Sequence, residues 1–334
     1  MKVFLAVLII LFAAQSLRAD PLGPRPVDAP SPASAANGQA PIQAAVEQYR
    51  RMQAATAVMI VQDGRVMASA GDVTRKVNLR SVRKSLISAL YGIAVADGLV
   101  RLDATLAELG IDDTEPKLTP TEKAATVRDL LMARSGVYHA AAYETADMGE
   151  KRPERGRHAP GTFWFYNNWD FNALGTIYGQ VTGEDIFASF ERRVARPIGM
   201  EDFSASDGRT VREPKSVHAA YPFSLSARDA ARFGLLYLNE GRWAGRQVVP
   251  ASWVKESTRA YSQTDRPGQG YGYLWWTLPS GEWGDGAFLA SGYGGQSIVV
   301  APAKRLVAVQ TAAGGGIRTS AFLDLLQSVA QSLP

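Results

Sequence analysis

Apolar positions change their spacing several times along the chain, and each change marks a segment. Val3 to Ala14 is apolar without a break. Asp20 to Pro41, "DPLGPRPVDAPSPASAANGQAP", has no apolar period and is rich in Pro and Ala, which predicts an extended leader. "IQAAVEQYRRMQ" returns to helical spacing, and "TAVMIVQDGRVMASAGD" reads as a β-hairpin turning at Asp63-Gly64. From Ser81 to about Ala96 the apolar residues Val82, Leu86, Ile87, Leu90, Ile93 and Val95 cover most sides of a helix, so that helix is buried. Helical signals then dominate to about Glu240. "TVRDLLMARSG" predicts a helix stopped at Gly136, and "SARDAARFGLLYLNEG" one stopped at Gly241. Strands return late, in "GYGYLWWTL", "GAFLAS", "QSIVVA" and "RLVAVQTA". "TSAFLDLLQSVAQSL" closes the chain as an amphipathic helix with Phe322, Leu325 and Leu326 on its apolar side.

Strands at both ends with helices between them predict an α+β fold. Its antiparallel sheet is built from the two chain ends and flanked by helices, with a mostly helical region inserted. The expected folded domain is 42–334, in which 42–80 and 245–334 form the α/β part and 81–244 the mostly helical part. A chain of 334 residues suits one large domain or two halves.

Composition narrows the function. Residues 1–19 show a basic start, a short apolar run and a small residue at Ala19, the pattern of a signal peptide. Residues 20–41 are the leader. The apolar run is short for a membrane span, which needs about 20 residues. The expectation is a periplasmic or secreted protein with no stable membrane span after cleavage; an uncleaved N-terminal anchor is the alternative. The formal charge is +4, and loss of Lys2 and Arg18 with the signal leaves +2. No basic run or basic–aromatic pattern supports a nucleic-acid partner. The absence of cysteine excludes disulfides, thiol nucleophiles and Cys-based metal sites. His139, His158 and His218 show no metal-ligand spacing. No phosphate loop, dinucleotide fingerprint or Gly-x-Ser-x-Gly elbow is present.

A lysine sits one turn into the buried helix. Lys84 follows Ser81 by three positions, so the two share a helix face. A free lysine, with a pKa of ~10.4, is neutral in only about one molecule in 2,500 at pH 7. Burial lowers that pKa and makes the amine a usable base. A serine hydroxyl needs such a base to become a nucleophile. The alternative is plain: Ser81 caps the helix and Lys84 is a solvated first-turn residue. A second Ser-x-x-Lys, Ser252 to Lys255, shows how easily the pattern arises.

Two further stretches bear on the choice. "PGTFWFYNNWDFNALG" holds Tyr166, whose hydroxyl can assist a base, and Asn168, whose amide can both donate and accept. Either can instead be structural, as a core aromatic and a helix cap. "FLASGYGGQSIVVAP" holds Ala290, Ser291, Gly292 and Tyr293 at a strand edge, where glycine lets a ligand approach backbone, or where a tight hairpin joins two core strands.

"SVRK", "YNN" and "ASGYGG", in that order, resemble the serine β-lactamase and penicillin-binding-protein superfamily. "SLISALYGIAVADGLVRLDATLAELG", "HAPGTFWFYNNWDFNALG", "YPFSLSARDAARFGLLYLNEGRW" and "VVPASWV" extend the likeness over nearly all of residues 42 to 334. The chain is similar to the branch holding class C β-lactamases, related esterases and 6-aminohexanoate-dimer (nylon oligomer) hydrolases, most of all to the last. The resemblance implies a β-lactamase/transpeptidase-like fold and a cofactor-free serine hydrolase acting on a small ester or amide. Ser81 would be the acylating nucleophile, with Lys84 and Tyr166 sharing general-base and general-acid work. Asn168, Ser291, Gly292 and Tyr293 would bind substrate, with the backbone N–H groups of Ser81 and Tyr293 as oxyanion hole. It also makes Ser252 part of an ordinary surface helix.

The third motif departs from the family pattern. Ala290-Ser291-Gly292 stands where lactamases and peptidases have Lys-Thr-Gly, so the cation that helps hold a substrate carboxylate is missing, which favours a neutral ester or amide near the scissile bond. Arg134, Arg155 or Arg157 could supply one from elsewhere. A D-Ala-D-Ala carboxypeptidase or class C-like β-lactamase is therefore the second reading. A non-catalytic ligand-binding protein on the same fold is the third. Tyr138, Trp164, Trp169 and Tyr293 are expected to shape the acyl pocket, and His139 and His218 could line the cleft.

Overall fold

A computed structural model of the chain describes residues 39–51 and 57–333. The expected signal peptide and the leader up to residue 38 lie outside the described residues. Residues 39–41, counted with the leader, instead open helix α1 (Gln39–Arg51). Proline at 41 fits there because the first helical turn needs no N–H from it.

The sheet has eight antiparallel strands. In chain order they are β1 (Ala57–Gln62), β2 (Arg65–Gly71), β3 (Ser262–Gln263), β4 (Gly270–Tyr271), β5 (Trp276–Thr277), β6 (Phe288–Gly292), β7 (Gln296–Ala301) and β8 (Leu306–Thr311). In space the order is β2-β1-β8-β7-β6-β5-β4-β3. The two chain ends meet where β1 pairs with β8, from Ala57 opposite Thr311 to Gln62 opposite Leu306. The β1–β2 turn falls at Asp63 and Gly64, both with positive φ (49° and 73°), as a two-residue hairpin loop requires.

Four longer helices complete the frame: α2 (Arg83–Ala96), α3 (Asn168–Thr182), α4 (Ala227–Leu238) and α5 (Thr319–Ser332). Every residue of β7 and β8 is buried, so both faces of the sheet are covered. α1 and α5 pack together through Tyr49 and Phe322, whose rings meet edge-on at 6.2 Å. α4 packs closely on the sheet: a Cβ on Gly234 would fall 2.6 Å from Val307. The helical stretch 81–244 therefore ends on the sheet, and α4 belongs to the sheet's packing although its sequence groups it with the insertion.

Two sequence expectations need correction. The helix expected to run to Gly136 covers only Val127–Leu131, because Ala133 turns left-handed (φ 55°) and the Leu131 carbonyl accepts from Leu274 N. "GYGYLWWTL" is not one strand but two, β4 and β5, joined by a bend at Leu274 (φ 66°). Apolar alternation cannot show such a bend, since both arms and the bend are buried. Among the described residues, no helix is long and apolar enough to cross a membrane.

Candidate active site

The chain reaches Ser81 through a strained approach. The short strand Val77–Asn78 pairs with Ser224–Leu225, and Leu79 N donates to Phe223 O at 2.9 Å. Arg80 then adopts φ 53°, a conformation that costs a non-glycine residue ~1 kcal/mol or more. Asn78 and Tyr143 hold it there. Arg80 N donates to Asn78 Oδ1 at 2.9 Å, and its guanidinium donates to Tyr143 OH at 2.8 Å. Residues Arg80–Val82 form one 3₁₀ turn that runs into α2. Ser81 is not a helix cap, since neither the turn nor the helix has a side-chain cap.

α2 is buried on nearly all sides, and two of its serines reach backbone carbonyls. Ser85 Oγ donates to Leu274 O and Ser88 Oγ to Tyr273 O, which ties the helix to the bend between β4 and β5. Lys84 is 2% exposed. Its Nζ lies 2.8 Å from Ser81 Oγ and 2.9 Å from Tyr166 OH. No carboxylate pairs with it among the described residues. Burial holds the amine well below the usual lysine range, and the neighbouring Arg83 guanidinium adds to the effect. The Tyr166 and Phe171 rings, 4.6 and 4.7 Å from Nζ, favour the charged form. Contacts of that kind are worth only about 1–2 kcal/mol, so desolvation wins.

Tyr166 precedes α3. Asn167 provides the N-cap, accepting from Trp169 N while its own amide donates to Val137 O and Asp170 Oδ1. This fixes the entry to the helix and with it the Tyr166 ring, which stacks on Trp276 at 5.4 Å. Burial raises the Tyr166 pKa, and hydrogen bonding by Ser81 pulls it down less. The group is a neutral phenol at pH 7. Asn168 is the first residue of α3, not its cap. Its Nδ2 donates to Tyr143 O at 3.0 Å, and its Oδ1 is buried without a partner.

The late glycine strand closes the other side. A Cβ on Gly292 would lie 2.4 Å from Leu79 O and 3.1 Å from Ser81 N, so only glycine lets β6 come this close. Gly292 thus sets the end of β6, and Tyr293 after it, beside the backbone N–H of Ser81. The two side chains beside it behave differently. Ser291 is buried, with its hydroxyl 3.4 Å from Thr319 Oγ1. The Tyr293 side chain is 74% exposed.

This geometry coincides with a family assignment. The Beta-lactamase family model matches residues 42–323. The chain belongs to the Beta-lactamase family. Its fold is shared by a Bacillus anthracis protein described provisionally as a 6-aminohexanoate-dimer hydrolase, 20% identical, with a TM-score of 0.66 over 86% of this chain and 82% of that one. EstCE1, a hydrolase with promiscuous acyltransferase activity, is 16% identical, with a TM-score of 0.65 over 88% and 98%. A penicillin-binding protein from Bacillus halodurans is 14% identical, with a TM-score of 0.64 over 86% and 98%. An uncharacterized protein of Alkalihalophilus pseudofirmus is 25% identical over 70% of this chain and 72% of its own. The superfamily is one of serine hydrolases.

Within this Beta-lactamase-family site, several sequence candidates fall elsewhere. Ser252 and Lys255 are exposed on the helix Ala251–Ser257, whose Trp253 packs on Gly92 of α2. Trp164 lines a cleft whose wall also holds Tyr166 and Trp276, but Trp169 is fully buried with its Nε1 donating to Asp113, and Tyr138 packs on His158 and Phe165. His139 and His218 do not touch Ser81, Lys84 or Tyr166. His218 Nδ1 is 2.9 Å from Thr176 Oγ1, and His139 faces Asp113 and Glu122. His158 stacks on Phe163 at 4.0 Å. Arg155 is paired with Glu122.

Sequence reasoning missed Arg83, Tyr143, Arg266 and Trp276. Arg83 is a buried cation with no carboxylate partner among the described residues. It donates to Asn172 Oδ1 at 3.0 Å and sits 4.2 Å over the Tyr221 ring. Its place inside an otherwise apolar helix was the available signal. For Trp276 the paired Trp in "LWW" was the only hint.

Proposed function

We propose that the protein is a serine hydrolase that cleaves an ester or amide through an acyl-enzyme on Ser81. The observation that carries this is the contact of the buried Lys84 amine with both Ser81 Oγ and Tyr166 OH. Lys84, neutral because it is desolvated, accepts the Ser81 proton as Oγ bonds to the substrate carbonyl carbon. The backbone N–H groups of Ser81 and Tyr293 hold the resulting oxyanion. As the bond to the leaving oxygen or nitrogen breaks, Tyr166 gives that atom its hydroxyl proton and takes one from the Lys84 ammonium. Water then adds to the acyl-enzyme, loses its proton to the same pair, and releases the acid while Ser81 regains its hydrogen. A phenol kept neutral by burial suits the donor role better than that of initial base.

Asn168 Oδ1, unpartnered at the head of α3, is the acceptor for a substrate N–H. The D-Ala-D-Ala carboxypeptidase and β-lactamase readings are weaker because Ala290 is wholly buried where those enzymes place a cation. A signal in residues 1–19 would deliver the enzyme to the periplasm or beyond.

The test is intact mass and peptide mapping after a fluorophosphonate probe, on wild type and Ser81→Ala. One adduct on Ser81, absent from the variant, is expected. No adduct, or an adduct on Ser252, refutes the proposal and favours a ligand-binding role.

A further inference from the structure

Arg83 puts a permanent charge inside α2, and no step of the acyl transfer touches it. The residue is 1% exposed. Its Nη2 donates to Asn172 Oδ1 at 3.0 Å, its Nη1 is buried without a hydrogen-bond partner, and the guanidinium lies 4.2 Å over the Tyr221 ring. A guanidinium stays protonated at any working pH. Methionine or leucine would fill the same place without burying a charge.

That charge is left standing from every side. Carboxylates on α2 and the elements packed against it are engaged elsewhere. Asp170 of α3 is bonded to Ser135 and Asn167, and Asp97 at the end of α2 pairs with Arg193. Glu191 pairs with Arg196, and Glu256 of the helix Ala251–Ser257 accepts from Tyr261. Lys255 of that helix is exposed. What faces Arg83 and Lys84 is hydroxyl: Ser81 and Tyr166 at the amine and Tyr221 beneath the guanidinium, with Tyr271 beyond Tyr166. Tyr91 and Tyr178, further along, are phenols kept neutral by burial. A second cation, Arg266, lies over the Trp276 ring, Cζ 3.6 Å from its centre, and Tyr166 stacks on the same ring. Arg266 acts on the Tyr166 phenol, whereas Arg83 acts on the phenol and on Lys84.

Adjacent cations oppose each other. As Ser81 Oγ bonds to the substrate carbonyl carbon, Lys84 takes the Ser81 proton and becomes an ammonium one residue from the guanidinium, with no carboxylate paired to either. The opposition is relieved when that proton crosses 2.9 Å to Tyr166, as Tyr166 gives its own to the leaving atom. We propose that Arg83 is a positioning residue for this relay: its unpaired charge keeps Lys84 ready as a base and drives the accepted proton on to Tyr166. This rests on the Ser81 hydrolase reading.

The experiment follows the rate of fluorophosphonate labelling at Ser81 across pH, which requires no substrate. Labelling forms the Oγ–P bond, breaks P–F and sends the Ser81 proton to Lys84, so its rise with pH tracks deprotonation of that amine. Arg83→Met removes the charge. Asn172→Asp pairs it in place, because Asn172 Oδ1 already touches the guanidinium. Each should move the acid limb of the profile up by about one pH unit. Asn172→Ala removes the same hydrogen bond without a change of charge, and its limb should stay where wild type has it. An unmoved limb in either charge variant, a limb moved as far by Asn172→Ala, or a rate lowered by one factor at every pH would each overturn the role. Should Arg83→Met fail to fold, Asn172→Asp against Asn172→Ala decides alone. Ser81 labelled with the same limb in all four proteins removes only the Arg83 role, whereas Ser81 never labelled removes the hydrolase reading and this role with it.

Discussion

Replacing Lys84 by Arg and by Met separates its chemistry from its charge. Lysine is tolerated in this pocket because it can shed its proton; arginine cannot. The pocket offers a guanidinium no carboxylate, only two hydroxyls and two aromatic faces, with Arg83 already close by. An unpaired buried charge costs several kcal/mol, about 3–5 when a partner has been removed. Cation–π contacts return about 1–2 of that. Lys84→Arg should therefore lose about 2 kcal/mol or more of stability. Lys84→Met removes the desolvated amine at similar volume and leaves Ser81 and Tyr166 able to bond to each other. Its stability should match or exceed wild type, because every unit by which burial depresses the lysine pKa withdraws ~1.4 kcal/mol from the fold at a pH where the free amine is charged. Both variants should lose about 10²–10⁴-fold in ester turnover with the base gone. The assays are chemical denaturation at pH 7 and initial rates on a neutral ester. An active Lys84→Arg enzyme would refute the lysine base, and a Lys84→Arg protein as stable as Lys84→Met would refute the pocket's unpaired character.

Two other outcomes follow from the same coordinates. Gly292→Ala places a methyl group 2.4 Å from Leu79 O and 3.1 Å from Ser81 N, against backbone that cannot swing away; it should destabilise the fold by about 1–3 kcal/mol and cut acylation about 100-fold, and a fully active variant would show that β6 does not form the oxyanion hole. His139 and His218 both have pKa values lowered first by burial, with Asp113 opposing in each case and Glu122 also opposing at His139. The unfolded chain thus binds more protons than the folded one as pH falls below about 6.5, and stability is lost on that acid side at up to ~1.4 kcal/mol per pH unit for each histidine. His218→Gln should flatten the slope of stability against pH between 6.5 and 5, and an unchanged slope would count against it.

Much of this architecture is readable in the order of apolar and polar residues, and the parts that are not share one cause. The α+β layout, the β1–β2 hairpin and the buried helix behind Ser81 follow from local period and turn chemistry, which short stretches carry whole. The convergence of Ser81, Lys84 and Tyr166 is legible only because three motifs occur in a known order. What remained hidden depends on long-range contact. Ala133 and Leu274 turn left-handed because their neighbours impose it, and nothing in "LLMARSG" or "GYLWW" announces that. Arg266 is the sharper case. It lies in "TDRPGQG", a stretch whose composition predicts only a loop. Its significance comes from the return of β5, which brings Trp276 under the guanidinium and against Tyr166 at once. Position also decides what a charge costs beside Ser81. On β6 the position is occupied by Ala290, which is wholly buried, and a charge there would have to be desolvated in a packed sheet. On the loop before β4 a guanidinium keeps its donors open to the cleft while its flat face is covered by indole. Trp276, seated by β5 beneath Arg266 and beside Tyr166, joins two residues 100 positions apart, and no local pattern in either stretch carries that contact.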